Sequence, residues 1–336
     1  MLIGGRVPPV AASDGGSIER YSKMVRMADG YGFTMMWGGW ATTAHLGYAA
    51  SITNHVRLGP RVVNPLIQQP GVIADGLGML HVISGGRTFM VLGRGDGVVR
   101  NHGLKEASIQ QIKDFYLAVR DLLDHGEASY EGRTILLYNP DRGPFWGGGK
   151  IPLYILTAGP RTLKMAAGIA DGIWLGCGLT PEAINGAMDI IREGAAEAGR
   201  DVSDIDIWWV TRSSVGRTHQ EAVEQAKESL ASIGNHSLRG GFEGKNVPED
   251  IQPRIRRYHE LYDWREKGMA RGNVATMEEL GLLDYFMDRF GVIGTPDEVV
   301  ERLKYLETLG VKQCEIATRN VDTLRLIGEE VLPAIA

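Results

Sequence analysis

The sequence predicts an α/β protein, a closed (β/α)8 TIM barrel with a helical insertion late in the chain. Short apolar runs alternate with longer helical patterns about eight times along the 336 residues. The 45 glycines are dispersed along the chain instead of being gathered in a linker, which is typical of many tight turns. The stretch 218–290 is helical and rich in charge, with no convincing strand. We therefore expect residues 1–336 to form a single domain with an insertion at 218–290; the alternative fold is a doubly wound open sheet.

Each predicted strand is a short apolar or β-branched run bounded by glycine, proline or a polar turn. The clearest buried strand of the N-terminal half is Thr88–Leu92, which follows the turn Ser84–Arg87. Residues 130–150 interrupt the alternation, and their glycine, proline and aromatic content favours an excursion with a hairpin. The eight strands are predicted at 2–4, 33–37, 56–63, 88–92, 152–156, 172–175, 205–210 and 312–317.

The predicted helices carry apolar residues at helical spacing, and several begin with recognisable capping residues. Asp14 or Ser17 can cap the first helix, Thr180 with Pro181 begins another, and Thr295 with Pro296 begins a third. The helices outside the insertion are predicted at 17–31, 42–52, 70–83, 108–125, 161–170, 181–198, 295–309 and 321–333, and those within it at 221–232, 248–266 and 277–288.

Composition argues against several classes of function. With 36 Lys and Arg against 41 Asp and Glu, the net charge is −5, so we expect no nucleic-acid partner. No apolar run approaches the roughly 20 residues of a membrane helix, and no signal peptide is evident at the N-terminus, so we expect a cytoplasmic protein without a membrane partner. Cys177 and Cys314 are too few for a disulfide framework, although the sequence leaves one bridge open; we interpret both as small buried residues. The eight histidines show no metal-ligand spacing, and we expect no metal.

In such a barrel the functional groups lie at the carboxyl ends of the strands. The second strand ends in Trp37-Gly38-Gly39-Trp40, where glycines would let a flat ligand approach and indoles would wall it; core tryptophans at a turn are the alternative. The third strand ends in two prolines around Arg61, Val62 and Asn64, a pattern that favours an inward bulge able to back a planar ligand.

The fourth strand is followed by charged residues on a glycine-rich loop. Arg94, Gly95 and Asp96 lie there, and charges on a tight loop are either paired structurally or functional. The loop lacks the third glycine of a dinucleotide fingerprint. His45, just past the second strand, is a candidate to face the site, with a solvated loop position as the alternative.

Two successive strand ends have the features of a phosphate site. Thr157 to Arg161 opens a helix and offers free backbone N–H groups, a hydroxyl and a guanidinium. Gly176-Cys177-Gly178 precedes the next helix, which Thr180 caps. Ordinary capping explains each helix start singly, but it explains the pair less well. We therefore expect an anionic group between the two starts.

These motifs together resemble the bacterial-luciferase-like flavin and deazaflavin oxidoreductases. The resemblance covers almost the whole chain, in the right order, through the segments 32–37, 56–70, 84–96, 157–160, 170–172 and 294–299. It implies a (β/α)8 barrel that binds FMN or the deazaflavin coenzyme F420. The run from Leu58 to Pro70 is most similar to the branch that includes the F420-dependent methylenetetrahydromethanopterin reductase.

The resemblance also implies roles for individual residues. A non-prolyl cis peptide that backs the ring would be the Arg61–Val62 bond, and Asp96 matches an acidic position beside the active site. The phosphate site would comprise Gly159, Pro160 and Arg161 with Gly176, Cys177 and Gly178. Many relatives carry an acid–histidine pair where this chain has Gly39-Trp40-Ala41. Asp96, His45 or a water would then supply the proton.

We therefore expect an oxidoreductase in which F420 exchanges a hydride with a small organic substrate, in a pocket lined by Trp37, Trp40 and the insertion. The first alternative is an FMN-dependent monooxygenase, and the alternative of another class is a non-catalytic flavin-binding protein. Relatives are commonly dimers through helices near the N-terminal half, so the resemblance implies a homodimer. The predicted catalytic residues are Asp96, His45 and Trp40, and the predicted cofactor-binding residues are Trp37, Arg61, Val62, Asn64, Arg94, Gly95, Thr157, Gly159, Pro160, Arg161, Gly176, Cys177 and Gly178.

Overall fold

A computed structural model describes residues 1–6, 17–38, 44–95, 99–100, 102–266, 271–317 and 320–336. Its strands are β1 Leu2–Arg6, β2 Met35–Gly38, β3 Arg57–Val63, β4 Met90–Gly93, β5 Glu127–Tyr130, β6 Arg133–Leu136, β7 Leu153–Thr157, β8 Gly172–Leu175, β9 Asp206–Trp209, β10 Arg212–Val215, β11 Gly291–Gly294 and β12 Gln313–Ala317. Eight of them close into a parallel barrel in the order β1-β12-β9-β8-β7-β4-β3-β2. The predicted barrel is confirmed, and the open sheet is wrong.

The helices surround the barrel or form the inserted segment. Among the described residues they are α1 Ile18–Gly30, α2 Ala44–Ser51, α3 Pro70–Ser84, α4 Ile109–His125, α5 Pro160–Ile169, α6 Pro181–Glu197, α7 His219–Leu238, α8 Gln252–Leu261, α9 Arg271–Glu279, α10 Leu283–Phe290, α11 Pro296–Thr308, α12 Val321–Leu326 and α13 Leu332–Ile335. A π-helical turn, Ile327–Val331, joins the last two.

Local sequence signals explain how several of these helices begin. The Ser17 hydroxyl accepts a hydrogen bond from Arg20 N at 3.2 Å, and Thr180 and Thr295 cap α6 and α11 in the same way. In α1, Tyr21, Met24, Val25 and Ala28 face the core, as their spacing predicts. Ile18, expected on the same face, is 49% exposed, because it begins the first turn.

Large aromatic side chains fill the barrel interior. Trp37, Trp174 and Trp208 are at most 5% exposed, and the rings of Trp174 and Trp208 stack with centroids 5.6 Å apart. Glycine on the facing strand makes room for them: a Cβ on Gly4 would lie 2.9 Å from Trp208 and 3.2 Å from Trp37. The barrel is therefore a packed core whose free surface is at its ends.

The late helical segment is connected to the barrel through two short strands that the sequence analysis missed. β10 and β11 pair in parallel, with Arg212 opposite Gly291, and they flank α7 to α10. The helices bury an apolar cluster of their own around Leu230, Tyr258 and Phe286. The predicted hairpin in the 130–150 region is present as β5 and β6, although it begins at Glu127.

Candidate active site

An arginine from β3 lies beneath the barrel mouth, between two indoles. The guanidinium carbon of Arg61 is 4.5 Å from the ring centre of Trp37 and 4.2 Å from that of Trp174, so both rings stabilise its charge. Arg61 also forms a salt bridge with Glu315 of β12, and both side chains are more than nine-tenths buried. Trp37, which was predicted to bind the cofactor, is thus largely covered and belongs to the floor of the mouth.

A second arginine shares the same carboxylate. Arg212 Nη1 lies 3.7 Å from Glu315 Oε1, at the start of β10. Burial lowers the pKa of Arg212 to about 10, with Glu315 opposing the change and the positive charges of Arg61 and Arg6 adding to it. Burial likewise lowers the pKa values of Arg61 and Arg6, against the attraction of Glu315. Cations from three strands therefore converge on one buried acid.

The end of β3 has the irregularity that its prolines predict. The Arg61–Val62 peptide is cis, as the resemblance implies, and the pairing of β3 with β4 shifts register between Arg61 and Val63. Asn64 is 2% exposed, and its side chain donates to the carbonyl oxygen of Gly93 at 3.2 Å and accepts from Leu66 N at 2.9 Å. Its amide therefore ties the ends of β3 and β4 together.

The loop after β4 is held by backbone contacts. Arg94 Nε donates to the carbonyl oxygen of Ala107 at 2.7 Å. Gly95 has a φ of +88°, and a Cβ there would lie 1.9 Å from Val99 and 2.4 Å from Asn64, so only glycine fits. Asp96, the predicted proton donor of this loop, lies outside the described residues.

The loop from β7 to α5 leaves its helix start without a side-chain cap. Gly159 occupies the N-cap position, and Pro160 begins the helix. Thr157 is buried, and its Oγ1 accepts from Gly159 N at 3.3 Å. Arg161 is exposed and forms no ion pair with any residue that the structure describes. The first turn of α5 thus presents backbone N–H groups and a cation, the combination that binds phosphate.

The neighbouring loop packs directly against it. Gly176 N donates to the carbonyl oxygen of Thr157 at 2.8 Å, which joins the two predicted halves of the cradle. The second helix start differs from the first, because Thr180 Oγ1 already accepts from Ala183 N at 3.3 Å. Burial raises the pKa of the Cys177 thiol to about 11, so Cys177 stays protonated at neutral pH.

Arg289 and Ser237 of the late segment contact this cradle and Lys245 contacts Arg289, and sequence analysis missed all three. Arg289 is 1% exposed and donates to the carbonyl oxygens of Cys177, at 2.8 Å, and Lys245. The buried Ser237 hydroxyl has no hydrogen-bond partner among the described residues and lies 3.8 Å from where a Cβ on Gly176 would be. Burial lowers the pKa of Lys245 to about 8, with the neighbouring arginines adding to the effect. No local pattern marks these residues, since they lie far along the chain from the loops they contact.

The predicted catalytic residues are only partly placed. His45, in the first turn of α2, packs edge-on against Tyr21 with ring centroids 6.3 Å apart, and burial lowers the pKa of its imidazole. The neutral ring is therefore favoured at neutral pH. Trp40, like Asp96, lies outside the described residues. No group of three potential metal ligands occurs in the described part of the chain.

The donor set fits a phosphate-bearing cofactor. The uncapped α5 start and the exposed guanidinium of Arg161 belong to the pair of loops joined by Thr157 and Gly176, and the Ser237 hydroxyl of α7, which has no partner among the described residues, lies against Gly176. A phosphate there would satisfy these donors. The residues that would hold it are Thr157, Gly159, Arg161, Gly176 and Ser237.

Comparison with known proteins gives consistent matches. The family model described as luciferase-like monooxygenase matches residues 2–313. A 5,10-methylenetetrahydromethanopterin reductase of Methanopyrus kandleri is 27% identical over 94% of this chain and 94% of its own length. An F420-dependent glucose-6-phosphate dehydrogenase of Microbacterium testaceum is 27% identical over 86% of this chain and 81% of its own length.

A solved structure has the same fold. The coenzyme F420 dependent tetrahydromethanopterin reductase of Methanopyrus kandleri superposes with a TM-score of 0.78 at 24% identity, covering 100% of this chain and 99% of that one. At that identity the similarity establishes a shared fold and nothing about function.

Proposed function

This chain belongs to the luciferase-like monooxygenase family, and from that premise we propose that it is an oxidoreductase in which coenzyme F420 exchanges a hydride with a small organic substrate. The observation that carries the proposal is the pair of joined loops after β7 and β8, which has an uncapped helix start, an exposed guanidinium and, packed against Gly176, a hydroxyl with no partner among the described residues. The names of the reductase and dehydrogenase relatives support F420 as the cofactor.

When bound, F420 would supply the ring carbon that gives or takes the hydride. The chain's own residues position it. We propose that Thr157, Gly159, Pro160 and Arg161, with the backbone of Gly176, Cys177 and Gly178, bind the phosphate. The ring would lie over the mouth, beside Trp37, Arg61, Val62, Asn64, Arg94 and Gly95. There the indoles of Trp37 and Trp174 exclude water from below.

We propose that Asp96, His45 or a bound water supplies the proton of the reaction, with Trp40 shaping the substrate pocket. Substitution Asp96→Asn should lower kcat much more than it weakens cofactor affinity, because the amide keeps the shape of the side chain but cannot act as an acid or a base. Steady-state kinetics beside a cofactor titration measures both. Normal turnover of this variant would remove Asp96 from the catalytic role.

The cofactor assignment is tested by titrating the purified protein separately with F420 and with FMN and following fluorescence quenching. We expect micromolar binding of F420. Micromolar binding of FMN with none of F420 would replace it by the FMN alternative, and the monooxygenase reaction would follow. A bound cofactor that, once reduced, is reoxidised by no acceptor would instead indicate a non-catalytic binding protein.

We also propose a homodimer in the cytoplasm. Four apolar side chains of α3 are between 44% and 71% exposed, which favours a second copy of the chain on this helix; they are Val72, Met79, Val82 and Ile83. Both cysteines are free thiols, as expected in a reducing compartment. Among the described residues no helix is long and apolar enough to cross a bilayer. Light scattering at the mass of a single chain would overturn the dimer.

A further inference from the structure

Beneath the barrel mouth, the charged side chains that the structure describes carry more positive than negative charge. Arg61 and Arg212 share the single carboxylate of Glu315, and Arg6 of β1 also acts on it electrostatically. These four residues come from β3, β10, β12 and β1. Counting only Arg61, Arg212 and Glu315, one positive charge is left over.

An uncompensated charge in a buried place is costly. The side chain of Arg61 is 9% exposed, and its Nε–H has no hydrogen-bond partner in the described part of the chain. The indoles of Trp37 and Trp174 stabilise the guanidinium from its faces, but they accept no hydrogen bond in its plane. A negatively charged group at the mouth would remove the excess.

The position of the excess points to what that group is. Arg61 ends the regular part of β3, on the inner face and at the carboxyl end of the barrel, where ligands of this fold bind. Under the proposed function a conjugated redox ring lies there. Such a ring is a weak acid in its reduced form and becomes an anion when its proton is released to solvent, and charge near the ring is a means by which a protein tunes it.

We propose that Arg61 and Arg212, with their charge only half balanced by Glu315, form a binding site for the anionic form of the reduced redox ring. This inference rests on the proposed function and goes beyond it, because it names the residues that set the ionisation of the cofactor. The arginines favour the anion over the neutral ring. The carboxylate of Glu315 limits that preference and holds both guanidiniums in place.

Two substitutions change the local charge in opposite directions. Arg212→Met removes one positive charge, so the pKa of the bound reduced ring should rise by about one pH unit or more. Glu315→Gln removes the negative charge, so the same pKa should fall by a similar amount. The measurement is the absorbance of the bound, reduced cofactor across pH, together with its midpoint potential, which should fall in Arg212→Met and rise in Glu315→Gln.

A matched control lies on the same strand. Arg57 points into the barrel four residues earlier than Arg61, about 13 Å away along the strand, towards Phe89 and the opposite end. Arg57→Met makes the same change of charge and should leave the pKa of the ring unchanged. If Arg212→Met does not fold, Glu315→Gln against Arg57→Met still gives the predicted sign.

The outcomes separate this inference from the proposed function. Opposite shifts in the two variants support the anion site. Shifts of the same sign, no shift, or a change only in the KM of an acidic substrate would overturn it. Failure of the unmodified protein to bind either F420 or FMN would overturn the proposed function itself, since the ring would then be absent.

Discussion

Arg289 Nη2 lies 2.8 Å from the carbonyl oxygen of Cys177, and this bond links the late helical segment to the proposed phosphate cradle. The same guanidinium donates to Tyr285 Oη at 3.1 Å and to the carbonyl oxygens of Lys245 and Asn246. One buried side chain therefore sets the distance between two parts of the molecule that are remote in sequence.

Replacing this side chain should loosen the cradle. Arg289→Met removes a buried cation and leaves three carbonyl oxygens without their donor, which should cost about 3 to 5 kcal/mol in the free energy of unfolding and weaken cofactor binding. Urea denaturation and cofactor titration measure the two effects. Arg302→Met is the control for affinity, because Arg302 is 22% exposed and donates to the carbonyl oxygens of Asp288 and Gly291, outside the cradle loops; cofactor binding should be unchanged. A variant of normal stability and affinity would contradict the linking role.

Arg161 should contribute directly to cofactor affinity. Arg161→Ala removes the exposed guanidinium at the start of α5 and should weaken binding by roughly 1–3 kcal/mol through loss of a charge-assisted hydrogen bond. The fold should be unaffected, because the side chain forms no ion pair with the described residues. Arg192→Ala, on the exposed face of α6, is the matched control. Unchanged affinity in the Arg161 variant would show that the phosphate lies elsewhere.

Removing the Ser237 hydroxyl should weaken cofactor binding without lowering the stability of the free protein. It is buried and has no hydrogen-bond partner among the residues that the structure describes, so Ser237→Ala should leave the free energy of unfolding of the free protein unchanged or raise it. Cofactor affinity should fall by about 1 kcal/mol, because the bound phosphate loses a donor. Ser229→Ala, on the same helix, removes a hydroxyl that donates to the carbonyl oxygen of Ala226 and should leave affinity unchanged. If both serine variants bind equally well, Ser237 does not contact the cofactor.

Lys245 should make stability depend on pH in the alkaline range. Its pKa is about 8 in the folded protein against an ordinary value of 10.5, mainly because of burial. Between these two values the unfolded chain binds more protons than the folded one, so this residue makes the free energy of unfolding rise with pH. Below pH 8 both states are protonated, and the contribution is constant. Denaturation of Lys245→Met and of the unmodified protein from pH 7 to 10 should show a difference that changes in this window only; parallel curves would refute it.

Much of the fold could be predicted because its signals are local. A cap such as Ser17 or Thr295 acts within one turn of its own helix, and the apolar spacing of α1 places Tyr21 and Val25 without any knowledge of the rest. β10 and β11 were missed because, among the described strands, each pairs only with the other, across the whole inserted segment. Their stability comes from this pairing, which leaves no pattern in either segment alone.

The candidate site also has a part that local sequence signals predict and a part that they do not. Loop residues such as Gly95 and Gly159 follow strands and precede helices. In a (β/α)8 barrel such loops lie at the carboxyl ends of the strands, so the sequence predicts their position at the mouth. The structure also contains the cis bond at Arg61–Val62 that the resemblance implied. What sequence reasoning could not supply was the partner of each charge. The sequence places Arg61 at a predicted bulge, but it does not show that Glu315 and Arg212 lie beside it.

The sequence by itself therefore determined the order of the barrel strands and the helices between them, the barrel they form and the strand ends where a cofactor would bind. Only the tertiary structure decided that Arg61 and Arg212 share one acid, and that Arg289 and Ser237 come from the late segment to complete the cradle. The physical reason is the separation along the chain between the interacting residues. Hydrogen bonding and capping within an element depend on neighbours in the chain, whereas the pairing of buried charges depends on which strands closure of the barrel brings together.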